Sequence, residues 1–99
     1  MNVSIQTRHF EPDAKLIEFV NKRLAKLNTF HDQILSIDVY LILDNVIHNI
    51  KDKIAEIRVD VPRHKFFVKA TSKSFEESFD CALESMTTQI IRRKKKQAA

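Results

Sequence analysis

Residues 54–71, IAEIRVDVPRHKFFVKAT, alternate apolar and polar side chains on both sides of a Pro-Arg pair. Such alternation is typical of strands with one buried face, so we predict strands at 54–61 and 65–71. Pro62-Arg63 predicts the turn that joins them. The side chains predicted to face inward are Ala55, Ile57, Val59, Val61, Phe66, Val68 and Ala70. Arg58, Phe67 and Lys69 would then face solvent or a partner.

The sequence before this pair predicts a strand, a helix and a second strand. Residues 2–8 alternate like a half-buried strand. Glu11-Pro12-Asp13 is expected to open a helix over 13–28, because proline and acidic residues suit a first turn. Its apolar stripe comprises Leu16, Ile17, Val20, Leu24 and Leu27. Residues 34–43 are almost continuously apolar, which predicts a strand covered on much of both faces, and a polar connection over 44–52 should follow.

A second helix is predicted from about residue 75 into the basic C-terminal run. Ser74 is the expected N-cap, and Glu77 stands at the position that completes a capping box. The apolar face of this helix would carry Phe75, Phe79, Ala82, Leu83, Met86 and Ile90.

The order of elements predicts an α+β fold: strand, helix, three strands, helix. A right-handed crossover makes the first two strands parallel, and short links make the later pairs antiparallel, giving a four-stranded mixed sheet. Two helices would cover one face of that sheet. With 99 residues, we expect a single domain over 1–91, and a basic end at 92–99 that continues the last helix.

Composition indicates a folded protein of a reducing, cytoplasmic compartment. The chain is 43% hydrophobic and 30% charged, with no apolar run of the roughly 18 residues that a membrane span needs. The first residues lack the pattern of a signal peptide. Cys81 is the single cysteine, so no internal disulfide can form. We expect no membrane contact and a monomer in the free state.

Residues able to support catalysis or metal binding are few. The chain has no glycine, which phosphate-cradling loops need for close backbone approach. The histidines, His9, His31, His48 and His64, lack metal-ligand spacing with one another or with Cys81. We therefore expect no enzyme activity, catalytic residue, metal, cofactor or small-molecule substrate.

A set of acids on the second helix leaves two interpretations open. A general acid–base pair is one, and a solvated helix face is the other and the one we favour. The residues concerned are Glu76, Glu77, Asp80 and Glu84.

Positive charge is concentrated in the run Arg92–Lys96. These five residues belong to the 17 cations that oppose 13 acids; without them, 12 cations would face 13 acids. The run can neutralise phosphates and release counterions, or it can be a solubilising, disordered end. The sequence alone leaves both interpretations, phosphate binding and a solubilising end, open.

Two weaker basic groups lie elsewhere. The first helix carries Lys15, Lys22 and Lys26 on one flank, with Arg23 beside them, and residues 63–75 hold four Lys or Arg and no acid. Three basic patches with acids segregated elsewhere predict a polyanionic partner. No aromatic signature of RNA-recognition domains is visible, so we expect contacts to phosphate and shape.

Several segments resemble the short ribosome hibernation promoting factors, including the ribosome-associated inhibitor proteins. They run through nearly the whole chain and comprise MNVSIQTRHF (1–10), EFVNKRLAKL (18–27), IDVYLIL (37–43), EIRVDVP (56–62) and SFEESFDCALESMTTQIIRRKKK (74–96). The sequence departs from that family at Pro62-Arg63-His64, where members often carry glycines, and at Glu76, where they often have an aromatic residue. The resemblance implies a shape like that of double-stranded RNA-binding domains.

The resemblance also implies a function and a set of binding residues. It places the protein on the rRNA of the small ribosomal subunit, in the cleft for mRNA and tRNA, where it would inhibit translation by steric exclusion. Arg23, Lys26, Arg92, Lys94 and Lys96 match basic positions of the family. We add Lys22, Arg93 and Lys95 from charge alone. A general double-stranded RNA-binding module is the alternative, and a small α/β enzyme is a more remote one.

Overall fold

Four strands and two helices follow one another in the predicted order in the computed structural model, which describes residues 2–30, 33–46 and 50–98. The elements are β1 (Asn2–Arg8), α1 (Ala14–Phe30), β2 (Ser36–Val46), β3 (Ile50–Val61), β4 (His64–Ser72) and α2 (Phe75–Ala98). The predicted α+β class is confirmed.

The strands form one sheet in the order β1-β2-β3-β4, with β1 parallel to β2 and the other pairs antiparallel. Ser36 pairs with Asp60, and Asp60 with Lys65, at the end of the sheet that carries the Pro62-Arg63 turn, which we call the turn end. Helix α1 joins two parallel strands, so it must run back toward the turn end. Helix α2 starts beside the other end of β4 and packs on β4 and β3, so it also runs toward the turn end.

The core lies between one face of the sheet and the two helices. Every predicted inward residue of β3 and β4 is buried or half-buried, because alternation in a strand places these side chains on one face. The fully buried large side chains include Val20 and Leu24 of α1, Ile37 and Leu41 of β2, Ile57 of β3, and Phe79 and Met86 of α2. The opposite face of the sheet is open, with Arg58, Phe67 and Lys69 exposed as predicted.

The predicted polar connection at 44–52 is wrong. Strand β2 continues to Val46 and β3 already begins at Ile50, with Asp44 paired to Asp52 and Asn45 to Lys51. Backbone pairing does not require apolar side chains, because the ladder bonds join main-chain groups. Polar composition therefore did not mark the end of the strand.

Both helices begin at a side-chain cap. The carboxylate of Asp13 accepts a hydrogen bond from the Leu16 amide at 2.8 Å, so Asp13 is the N-cap of α1. The prediction that Pro12 and the acids lie in the first turn is therefore wrong, since α1 starts at Ala14. The predicted N-cap of α2 is confirmed, because the Glu77 amide donates a hydrogen bond to Ser74 Oγ at 3.1 Å. The predicted capping box is wrong, because the Ser74 amide donates to Ser72 Oγ at 3.2 Å and not to the Glu77 side chain.

Among the residues that the structure describes, two adopt the left-handed backbone region, and neither is a glycine. Arg63 has φ 68° in the turn between β3 and β4, and His9 has φ 69° after β1. Glycine usually occupies such positions, and a residue with a Cβ pays about 1–2 kcal/mol there. The chain has no glycine to place at either position.

Candidate nucleic-acid interface

Helix α2 continues past the core and carries the main cluster of positive charge with it. Ile90 is buried, at 6% exposure, whereas the next residue, Ile91, is 41% exposed. The remaining helix, residues 91–98, adds about 12 Å at 1.5 Å per residue. Arg92, Lys94, Lys95 and Lys96 are exposed, and Arg93 is half-buried. Five consecutive cations at 100° intervals are distributed around the axis of this overhang, and four of them are exposed to solvent.

Arg23 is positioned by aromatic packing between the two helices. Its guanidinium lies 4.8 Å from the centre of the Phe19 ring, and Phe19 meets Phe79 of α2 edge-on at 6.4 Å. Arg23 Nε is also 3.4 Å from Asp80 Oδ1. Both charged side chains remain almost half exposed, at 41% and 47%. Surface pairs of this kind contribute about 0–1 kcal/mol, so a phosphate can compete with Asp80 for Arg23.

Lys22 and Lys26 lie near Arg23 on α1, but only Lys26 lines the same groove as Arg23. Lys22 Nζ is 3.1 Å from Glu18 Oε1, one helical turn earlier, and both side chains are largely exposed. Lys26 lines an open groove of about 530 Å³ between α1 and α2, together with Arg23, Asp80 and Glu84. The groove is therefore lined by charges of both signs.

The expected segregation of acids from the basic patches is wrong on α1. Glu18 meets Lys22 because residues four apart share a helix face. Asp80 meets Arg23 only because α2 packs against α1. No local pattern links two residues this far apart in the sequence, so Asp80 could not be identified as part of this surface beforehand.

The cations of residues 63–75 lie along β4 and do not form one cluster. Arg63 stands in the turn and Lys65 follows it, whereas Lys73 comes after the strand at its opposite end. Lys65 and Lys69 alternate with buried residues, so they face the open side of the sheet.

The topology nonetheless gathers cations at the turn end. Both helices finish there, which brings Lys26 and the run Arg92–Lys96 to the same end of the molecule as Arg63. Lys15 and Lys73 lie toward the opposite end, and so do Glu76 and Glu77 in the first turn of α2. The longest dimension is 50 Å, so charge is separated over several Debye lengths at physiological salt, each about 8 Å.

Metal-binding side chains are not clustered within the ranges that the structure describes. No group of three His, Cys, Asp or Glu residues there could hold a metal ion. His64 packs edge-on against Phe66, and Cys81 is exposed. His31 and His48 lie outside the described residues. No described helix is both long and apolar enough to cross a membrane.

Comparisons with known proteins agree with the fold. A family model described as "Sigma 54 modulation protein / S30EA ribosomal protein" matches residues 3–98. The N-terminal domain of Protein Y from Thermus thermophilus is 29% identical, with a TM-score of 0.79, covering 93% of this chain and 98% of that one. A ribosomal subunit interface protein from Coxiella burnetii, at 19% identity, shares the fold with a TM-score of 0.84, covering 96% of this chain and 99% of that one. No curated protein matches the sequence.

Proposed function

We propose, starting from the fact that this chain belongs to the sigma 54 modulation protein / S30EA ribosomal protein family, that it silences ribosomes by occupying the small subunit. The domain binds in the channel used by mRNA and tRNA, in the cytoplasm, and its presence there excludes both. No covalent step is needed, because occupancy alone blocks initiation.

The observation that supports this proposal most is the basic overhang of α2. A preformed helix with cations distributed around its axis can enter a groove of folded RNA without first losing chain entropy. Its side chains contact phosphates and release counterions, which makes the affinity strongly dependent on salt. The binding residues on α2 are Arg92, Arg93, Lys94, Lys95 and Lys96.

Arg23, Lys26 and Lys22 of α1 form the second part of the proposed contact. Arg23 is held on Phe19, so it reaches the RNA in a fixed orientation. To contact a phosphate, Lys22 must leave its ion pair with Glu18, and Arg23 must leave its ion pair with Asp80. We therefore expect these two residues to contribute less to the binding free energy than the overhang. Membership of a ribosomal protein family favours the ribosome over duplex RNA in general as the partner.

Co-sedimentation with separated ribosomal subunits tests the proposal. We expect the protein to migrate with small subunits and not with large subunits in sucrose gradients. Small subunits loaded beforehand with mRNA and initiator tRNA should retain much less of it, because the channel is filled.

A competition experiment separates the proposal from binding to duplex RNA in general. A duplex RNA of mixed sequence, added in excess, should not displace the protein from small subunits if the site is built for ribosomal RNA. Equal retention by empty and by loaded small subunits would refute the channel as the binding site.

A further inference from the structure

The open face of the sheet carries a ladder of alternating cations and aromatic rings, with one residue from each strand. The guanidinium of Arg8 on β1 lies 5.7 Å from the centre of the Tyr40 ring on β2. The guanidinium of Arg58 on β3 lies 5.5 Å from the same ring and 5.4 Å from the ring of Phe67 on β4. Arg58 and Phe67 are direct cross-strand partners. We call these residues the ladder.

Phe67 is the exposed end of the ladder. It is 49% exposed, which is unusual for a phenylalanine, although its neighbours Phe66 and Val68 are buried at 6%. Because Arg58 fixes the ring from one side, a flat partner can stack on the exposed part with little loss of side-chain freedom.

Cations flank Phe67 along the same strand. Lys65 and Lys69 stand two residues before and after it, so all three point to the open face. Their cross-strand partners are the acids Asp60 and Glu56. Neither lysine forms an ion pair with a carboxylate of the described residues, and Asp60 instead accepts a hydrogen bond from Ser36 at 3.1 Å.

A shallow hollow of about 400 Å³ lies beside the ladder. It is lined by Asp38, Arg58, Asp60, Lys65, Phe66 and Phe67. Each carboxylate accepts a hydrogen bond from a serine hydroxyl with one of its oxygens. Ser4 donates to Asp38 at 2.8 Å, and Ser36 donates to Asp60. Ionised carboxylates only accept hydrogen bonds, so the free oxygens suit amino groups.

We propose that this open sheet face binds single-stranded RNA, with a base stacked on Phe67, phosphates beside Lys65 and Lys69, and an amino group of the base directed to the carboxylates of the hollow. A half-exposed ring between cations is the combination by which proteins bind unpaired nucleic acid. An apolar protein partner fits less well, because Phe67 stands among charged residues. The surface is separate from the two helices, so the inference does not depend on the proposed function.

The single tyrosine of the chain allows a direct test, since the sequence has no tryptophan and Tyr40 belongs to the ladder. Oligocytidine and oligouridine of about eight nucleotides are titrated while tyrosine fluorescence and the anisotropy of labelled RNA are followed. We expect both RNAs to quench the fluorescence of Tyr40. Absorption of light by the RNA is corrected for with a parallel titration of free N-acetyltyrosinamide. Oligocytidine should bind more tightly, because cytosine has an amino group and uracil has none.

Three variants separate stacking from other kinds of contact. Phe67→Leu keeps apolar bulk without a π face and should weaken RNA binding about tenfold, whereas Phe67→Tyr should bind like the unmodified protein. Leu35→Ala removes an exposed apolar side chain outside the ladder, 56% exposed, and should have no effect. Far-UV circular dichroism confirms the fold of each variant.

Several outcomes would overturn the inference. Saturation with RNA without any change in Tyr40 fluorescence would place the RNA elsewhere. Equal binding by Phe67→Leu and the unmodified protein would exclude base stacking. Equal affinities for oligocytidine and oligouridine would remove the hollow from the proposed site. Loss of binding on neutralising Arg92 and Lys96, with no response to changes at Phe67, would assign all RNA contact to α2.

Discussion

Arg23 and Asp80 form an ion pair that opposes the proposed contact with RNA. The carboxylate lies 3.4 Å from Arg23 Nε, so a phosphate that approaches Arg23 meets a negative charge at once. Solvent and salt screen charges that are this exposed, so the repulsion between Asp80 and a phosphate amounts to about 1 kcal/mol or less. Asp80 therefore limits how tightly this surface holds RNA.

Replacing Asp80 with asparagine should strengthen binding to small subunits several-fold. The change keeps the shape of the side chain, removes the repulsion and frees Arg23 for phosphate. The lost pair is half exposed, so the free energy of unfolding should fall by less than about 1 kcal/mol. Equilibrium binding to fluorescently labelled small subunits measures the affinity, and urea unfolding measures the stability.

Glu76→Gln is the matched control for this prediction. It removes one negative charge from the same exposed side of α2, in the first turn and away from Arg23. If Glu76→Gln strengthens binding as much as Asp80→Asn, net charge explains the effect and the local pair does not.

Among the elements, α2 was the most predictable and the β2–β3 hairpin the least. Ser74 and the apolar spacing from Phe75 to Ile90 identify α2, and the structure confirms both. In the hairpin, the strands extend through Asp44–Val46 and Ile50–Asp52. Four of these six residues are polar, and this composition predicts a connection and not a strand. Apolar periodicity in a sequence marks side chains that will be buried. It therefore predicts elements that pack on the core, and it misses strand ends that are held by backbone pairing alone.

The overhang of α2 gives a prediction about helix faces. Arg92 and Lys96 are four residues apart and share a face, and the sequence resemblance predicts both as binding residues. Replacing both with glutamine should weaken binding to small subunits about tenfold, because two charge-assisted contacts are lost. Glutamine is a good helix former, so the helix should persist. Co-sedimentation at fixed salt measures the difference.

Arg93→Gln with Lys95→Gln is the paired control for the overhang. It removes the same charge from other sides of the helix, at positions chosen from charge alone. A smaller loss of affinity is expected for this pair. Equal losses for the two pairs would mean that the RNA responds to the charge of the overhang and not to one of its faces.

For the molecule as a whole, the position of charge matters more than its sum. The net charge is only +4, yet both helices deliver cations to the turn end, while Glu76 and Glu77 lie at the other. The topology was predictable from the order of elements, and with it the gathering of the helix ends. The Arg23–Asp80 pair and the ladder were not, because each joins residues that only tertiary packing brings together.

The dependence of binding on salt should reveal this asymmetry. Replacing Arg92 and Lys96 with glutamine should reduce the slope of log affinity against log salt by roughly 1.5, since each phosphate contact contributes about 0.7–0.9. Lys15→Gln with Lys73→Gln lowers the net charge equally at the opposite end and should leave the slope unchanged. Titrations with small subunits at four or more salt concentrations measure both, and equal slopes for the two variants would contradict the assignment.

The left-handed backbone at Arg63 and His9 lowers the stability of the unbound protein and hence its resistance to proteolysis. Each left-handed residue lowers the free energy that separates the folded from the unfolded chain, and a domain of this size has a small reserve. Any partner that binds only the folded form raises this free energy of unfolding, and the gain grows with the logarithm of the partner's concentration. Bound molecules should therefore be degraded more slowly than unbound ones wherever proteases cleave the unfolded chain.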